Sequence, residues 1–223
     1  MTRSGDAALG TEPDSLPSAL ARHDLQLPPD QVQCLAKYCE LLWKWNQRLN
    51  LTRHTDWERF VTRDLIDSLQ LSQLLEPGRE VLDIGTGGGV PGVVLAVLRD
   101  DLEISLCESV GKKARAVQAI VRELDLSVPV HAERVEHLLE DLRFDVLVAR
   151  AVGPLWKLCK WLQPHWQDFD YLLAVKGPRW VEERAAARER GLLKSVDLRR
   201  VASYRMPGTE SESVILRIQS HRR

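Results

Sequence analysis

The sequence has almost no excess of charge of either sign. Its 223 residues include 31 Lys and Arg and 32 Asp and Glu, a formal net charge of −1. A general attraction to nucleic acid is therefore excluded, and any nucleic-acid binding must come from a local basic surface. No apolar stretch reaches membrane-spanning length, and the N-terminus lacks a basic-then-apolar signal pattern. We expect a cytoplasmic protein that does not interact with membranes.

Cysteine is also scarce. Only four cysteines occur, and none of them form a Cys-x-x-Cys pair or show the spacing of zinc ligands. We therefore expect buried, reduced thiols, with neither a disulfide framework nor a metal centre. The hydrophobic fraction of 44% and the charged fraction of 28% are typical of a globular protein with a proper core.

The glycines are few but concentrated. There are 13 in the chain, and residues 80–92 hold a cluster of them between two apolar runs. The first run predicts a short buried strand, the glycines a tight turn, and residues 93–98 a helix. Such a turn lets a ligand lie against bare backbone. The formal Gly-x-Gly-x-x-Gly pattern at Gly87, Gly89 and Gly92 is compatible with a dinucleotide or with S-adenosylmethionine.

Two acidic residues favour S-adenosylmethionine. Asp83 ends the first strand, where we expect its carboxylate to face the turn. A carboxylate there would repel a pyrophosphate but attract a sulfonium or an ammonium group. Glu108 ends the next predicted strand, roughly 20 residues further on, a spacing that suits hydrogen bonds to two ribose hydroxyls. Dinucleotide binding and a glycine-rich turn without function remain the alternatives.

The rest of the chain predicts an α/β fold with a doubly wound, Rossmann-like sheet. We expect residues 1–20 to be disordered, residues 21–76 to form a helical extension, and residues 77–223 to form the ligand-binding domain. A C-terminal antiparallel hairpin closes the sheet. The predicted strands cover residues 81–84, 103–107, 128–132, 144–149, 171–175, 198–204 and 214–219, and the predicted helices after residue 77 cover 91–98, 111–124, 134–141, 154–162 and 180–190.

The loop after the fourth strand restricts the chemistry. Residues 149–153 read Ala-Arg-Ala-Val-Gly, without the Asp/Asn-Pro-Pro-aromatic motif typical of methylation at an exocyclic base nitrogen. A carbon-5 pyrimidine mechanism needs a cysteine nucleophile, and the nearest candidate, Cys159, lies in a helical pattern. An acceptor with a lone pair and no proton to lose, such as guanine N7, fits best, because alignment alone then supplies most of the catalysis.

Basic residues are predicted near the same edge of the sheet. Arg53, Lys112, Lys113 and Lys176 are candidates for contacts with RNA phosphates, although each alone could be an ordinary surface charge. Arg150 ends the fourth strand at the expected cleft and is the candidate catalytic residue. The alternative for Arg150 is an ion pair with a structural acid, for which we considered Glu136 and Asp145.

With these motifs in place, the chain resembles the RsmG (GidB) family of bacterial methyltransferases, which modify N7 of one guanine in 16S ribosomal RNA. The resemblance runs from about residue 27 to residue 219, and its most specific part is the stretch LDIGTGGGVPG at 82–92. Further matches lie at residues 45–46, 50–52, 67–69, 108–109, 112–113, 134–136, 144–145, 150–151 and 175–177.

The resemblance implies cofactor contacts at Gly85, Val90, Val135, Glu136 and Arg150. The charge of Asp83 and Glu108 and the glycine turn at Gly87 add these three residues to the set. The implied cofactor is S-adenosylmethionine, and the implied partner is 16S rRNA or the small-subunit particle, with no DNA and most simply a monomer.

The chain departs from the family pattern at Asp64, where the family usually has a histidine, so any role of that imidazole is expected to be absent. Two other functions stay open at this point. One is a small-molecule methyltransferase, and the other is a non-catalytic, nucleotide-binding regulatory protein.

Overall fold

A seven-stranded sheet forms the centre of the molecule. The computed structural model describes residues 14–221. The strands are β1 (Glu80–Ile84), β2 (Glu103–Cys107), β3 (Val130–His131), β4 (Val146–Arg150), β5 (Tyr171–Lys176), β6 (Val196–Arg205) and β7 (Glu212–Ser220). The strand order is β3-β2-β1-β4-β5-β7-β6; β1 to β5 are parallel, and β7 runs antiparallel between β5 and β6. This confirms the predicted α/β class with its C-terminal hairpin.

Helices cover both faces of this sheet. The pattern of alternating strands and helices predicted after residue 77 is confirmed, with bounds moved by a few residues. The third strand is reduced to two residues, because only Val130 and His131 lie in register with residues of β2. The helices are α1 (Leu16–Arg22), α2 (Pro29–Asn46), α3 (Trp57–Arg59), a π-helical segment (Phe60–Leu65), α4 (Ile66–Ser72), α5 (Gly92–Leu98), α6 (Gly111–Glu123), α7 (Val135–Asp141), α8 (Leu155–Leu162), a 3₁₀ turn (Gln163–His165) and α9 (Trp180–Glu189).

The N-terminal segment is more ordered than expected. Residues 1–13 lie outside the described residues, but helix α1 begins at Leu16, so the prediction of disorder up to residue 20 is wrong for this helix. The Ser15 side chain caps it by accepting from the N–H of Ser18 at 3.3 Å. Leu16 and Leu20, one helical turn apart, are buried in the core. The Gly, Pro and Ser content around them concealed this apolar pair.

The N-terminal helices share a hydrophobic core with the sheet. Leu35, Tyr38 and Leu42 of α2 belong to the same buried cluster as Val93 of α5 and Leu106 of β2. A second cluster on the opposite face contains residues of α7 and α8. Helix α2 is thereby held beside the carboxyl ends of the parallel strands. The division of the chain at residue 77 stays a prediction. Within residues 14–221, no helix is long and apolar enough to cross a membrane.

Candidate active site

The glycine-rich turn follows β1 and is held by neighbouring elements. Gly85 has a φ of +67°, and a Cβ there would lie 2.7 Å from a methyl carbon of Val152, so glycine is needed for both conformation and space. Its N–H donates to the Cys107 carbonyl at 2.8 Å. From α2, the Tyr38 hydroxyl donates to the Gly88 carbonyl at 3.0 Å. The turn is therefore fixed between β2 and the N-terminal helices.

Asp83 lies beneath this turn and has no exposed surface. Its Oδ2 accepts from the Thr86 hydroxyl at 2.5 Å and from the Gly92 N–H at 2.9 Å. A Cβ at Gly92 would lie 2.8 Å from the same oxygen, which explains the glycine. Both of these hydrogen bonds use Oδ2, while Oδ1 is buried without a hydrogen-bond partner. Asp83 therefore shapes the turn, and its direct contact with a ligand stays a prediction.

Glu108 is the acid that faces the ligand side. It follows β2, and its Oε2 accepts from the Gly87 N–H at 3.0 Å while Oε1 accepts from the Val110 N–H at 2.8 Å. The side chain thus connects the glycine turn to the start of α6. It also lines a large cavity at the carboxyl edge of the sheet. Its carboxylate is positioned by backbone groups before any ligand arrives.

This cavity has a volume of about 950 Å³. Pockets for small ligands typically measure about 300–1,000 Å³, so there is room for a cofactor and part of a second molecule. Its lining comes from two sides, because β2 and β4 flank β1 in the sheet. The predicted site residues that line it are Gly85, Gly87, Val90, Glu108, Val135, Glu136 and Arg150, together with Arg53 and Lys113.

Arg150 lies on the β4 side and bridges two carboxylates of the N-terminal segment. Its guanidinium contacts Asp64 Oδ1 at 2.7 Å and Asp67 Oδ2 at 2.6 Å. Asp67 also accepts from the Tyr204 hydroxyl at 2.7 Å. The alternative of an ion pair with a structural acid is thus confirmed in kind, but both partners differ from those considered. Asp64 and Asp67 lie over 80 residues before Arg150 and were not predicted as neighbours.

His54 also lines the cavity, although no functional motif of the sequence includes it. Its Nδ1 lies 2.8 Å from Asp64 Oδ1, and 27% of its side chain is exposed. An imidazole is therefore present next to Asp64 although position 64 itself is not histidine. The only sequence signal was its place after the Asn-Leu-Thr motif at 50–52, which also lines the cavity.

The four candidate RNA contacts fall into different environments. Arg53 and Lys113 line the cavity, and Lys112 is exposed on the first turn of α6. Lys176 is buried: its Nζ donates to the Gly153 carbonyl at 2.5 Å and lies 2.9 Å from Glu183 Oε2. The prediction of a phosphate contact at Lys176 is wrong, because its charge is already paired inside the protein.

Cys107 is the thiol that lines the cavity. It is 2% exposed, and its Sγ donates to the Glu133 carbonyl at 3.3 Å. Burial is the main cause that raises the pKa of this thiol to about 12, and the Glu133 carboxylate adds to the effect. The group is therefore a protonated thiol at neutral pH, and a poor nucleophile. Cys159, considered from the sequence, is buried in the core.

Known proteins share this chain's sequence pattern. Residues 31–212 match the family model of GidB, rRNA small subunit methyltransferase G. The chain belongs to this methyltransferase G family. It is 54% identical over 187 residues to the ribosomal RNA small subunit methyltransferase G of Rhodopirellula baltica, covering 84% of this chain and 81% of that protein. The family member from Chromobacterium violaceum is 36% identical over 204 residues, covering 91% and 95%.

Solved structures share the fold of this family member. A mutant of MtNAS in complex with S-adenosylmethionine superposes with a TM-score of 0.56 at 16% identity, covering 91% of this chain and 83% of that one. A methyltransferase from Pyrococcus furiosus superposes with a TM-score of 0.53 at 12% identity, covering 84% and 98%. The Rossmann-like methyltransferase fold predicted from the sequence is thereby confirmed.

Proposed function

We propose that this chain transfers a methyl group from S-adenosylmethionine to N7 of a guanine in 16S rRNA. Family membership makes it a methyltransferase and supports small-subunit rRNA as the substrate. The observation that carries the cofactor assignment is the Glu108 carboxylate, which lines the cavity 3.0 Å from the Gly87 nitrogen. An acid at the end of β2 beside a glycine turn suits the two hydroxyls of a ribose.

The β2 side of the cavity would hold this cofactor. Glu108 would hold the ribose, and the turn at Gly85 and Gly87 would let the ligand approach the backbone closely. Val135 and Glu136 at the start of α7 close the same side. A neighbour with this fold binds S-adenosylmethionine, which supports the assignment. Asp83 would contribute indirectly, by holding the turn.

The groups that line the cavity favour guanine N7 as the methyl acceptor. S-adenosylmethionine, when bound, supplies a methyl group on a positively charged sulfur. Guanine N7 has a free lone pair and loses no proton, so the protein needs only to align the two groups. A carbon-5 pyrimidine acceptor would need a thiolate. The one cavity thiol, Cys107, is protonated because burial raises its pKa to about 12.

The RNA would approach from the side of the N-terminal segment. Arg53 and Lys113 at the cavity, with Lys112 beside it, would contact phosphates. Arg150, the candidate catalytic residue, would act from the cavity wall between the cofactor side and the RNA side. An rRNA substrate also accords with the expected cytoplasmic location. Neither a small-molecule acceptor nor a purely regulatory role has a specific observation in its favour.

The test is direct methylation. Purified protein is incubated with isotopically labelled S-adenosylmethionine and with 30S particles or 16S rRNA from cells that lack the gene. Mass spectrometry of the digested RNA should find one labelled 7-methylguanosine per 16S molecule. Label on another atom, or none in either substrate, would overturn the proposal.

A further inference from the structure

The loop that carries His54 is fixed from both sides. The N–H of His54 donates to Thr52 Oγ1 at 3.0 Å, and its carbonyl accepts from Trp43 Nε1 at 2.9 Å. The Trp43 ring packs edge-on against Trp57, with centroids 4.6 Å apart. Asn46 Oδ1 holds the preceding residues by accepting from two backbone N–H groups at 2.7 and 3.0 Å. The loop thus presents His54 at the cavity in one defined position.

The His54 ring is oriented by a carboxylate. Asp64 Oδ1 lies 2.8 Å from Nδ1, and the same oxygen contacts Arg150 at 2.7 Å. Because an ionised carboxylate only accepts, Nδ1 carries the proton, and in the neutral ring the lone pair is on Nε2. Among residues 14–221, no group is hydrogen-bonded to Nε2. Nε2 is therefore an acceptor without a partner among the described residues, on a side chain that lines the cavity.

The cluster of Asp64, Asp67 and Arg150 next to the His54 ring carries an excess of negative charge. Asp64 and Asp67 face one guanidinium, that of Arg150, and Asp64 Oδ2 is buried without a hydrogen-bond partner. Asp64, Asp67 and Arg150 together carry one net negative charge. Such a cluster favours positive charge in the adjacent part of the cavity. It also polarises the imidazole and makes Nε2 a stronger acceptor.

We propose that His54 contacts the acceptor base, with Nε2 accepting from an N–H of the guanine, and that Asp64 is its positioning residue. This rests on the proposed function. In that reaction, the N7 lone pair forms the bond to the methyl carbon, the S–C bond breaks with its electron pair left on sulfur, and the positive charge passes to the purine. The N–H groups of the purine become stronger donors as this charge develops. The contact to Nε2 is therefore stronger in the transition state than in the ground state, and it accelerates the transfer.

Two substitutions of His54 separate this role from a structural one. His54→Gln keeps an acceptor oxygen near the position of Nε2, whereas His54→Leu has a similar size and no acceptor. The matched control is His165→Gln, because His165 Nδ1 pairs with Asp168 at 2.9 Å in a partly buried site that does not line the cavity. Each protein is assayed for kcat and KM with 30S particles, for S-adenosylmethionine affinity by calorimetry, and for melting temperature.

We expect His54→Leu to lower kcat by about ten- to a hundredfold, the range for a hydrogen bond to a charged group. His54→Gln should recover part of this loss, and both variants should bind S-adenosylmethionine as the wild type does. His165→Gln should keep the wild-type kcat. Equal kcat for His54→Leu and the wild type, or equal losses in His54→Leu and His54→Gln, would overturn this inference alone. Wild-type methylation at an atom other than guanine N7 would overturn the proposed function and this inference together.

Discussion

Asp83 should make the stability of the fold depend on pH in an unusual direction. Burial is the main cause that raises the pKa of Asp83 from 3.8 to about 6, against the lowering effect of the hydrogen bonds from Thr86 and Gly92. The folded protein therefore binds this proton more tightly than the unfolded chain does. The contribution of Asp83 to the free energy of unfolding is therefore highest below pH 3.8, and it falls as the pH rises to about 6. The difference in pKa corresponds to about 3 kcal/mol.

The measurement is urea unfolding at several pH values from about 4 to about 7, for the wild type and for Asp83→Asn. Asparagine does not titrate, so the wild type should lose about 2.4 kcal/mol more than the variant over this range, because part of the full difference lies below pH 4. The control is Asp101→Asn. Asp101 is exposed, and the hydrogen bond from Arg99 lowers its pKa, so this variant should keep the fall seen in the wild type. Parallel stability curves for the wild type and Asp83→Asn would refute the reasoning.

Three other parts of the site can be tested by substitution. Arg150→Met removes the cation between two buried carboxylates and should lower the free energy of unfolding by about 3–5 kcal/mol in urea; a loss below about 1 kcal/mol would contradict the ion-pair role. Glu108→Gln should weaken S-adenosylmethionine binding about ten- to a hundredfold by calorimetry, and an unchanged affinity would exclude Glu108 from the cofactor site. In filter binding with 16S rRNA, Arg53→Ala and Lys113→Ala should each reduce the slope of log affinity against log salt concentration by about 1. Lys176→Ala should leave that slope unchanged, since its charge is paired with a protein carboxylate.

The sequence by itself determined the elements of the sheet and the place of the cavity. The strand Glu103–Cys107 was predicted with its observed bounds, because an apolar run between polar ends has one simple interpretation. The turn at Gly85 was predicted because glycine tolerates a positive φ and bare backbone, which are local properties. Strand order then places the residues that follow β1, β2 and β4 at one edge, where Glu108 was expected and is found.

Only the tertiary structure decided which charges meet. Arg150 pairs with Asp64 and Asp67, and Lys176 pairs with Glu183, although neither set of partners shares a local pattern. Asp83 is buried beneath the turn, and its partners Thr86 and Gly92 are known only from the folded structure. The physical reason is range: periodicity and φ depend on neighbours along the chain, whereas an ion pair depends on how separate segments pack. The contact between His54 and Asp64 forms only when the loop that carries His54 is folded. Burial and charge pairing, and not residue type alone, decide the role of each side chain.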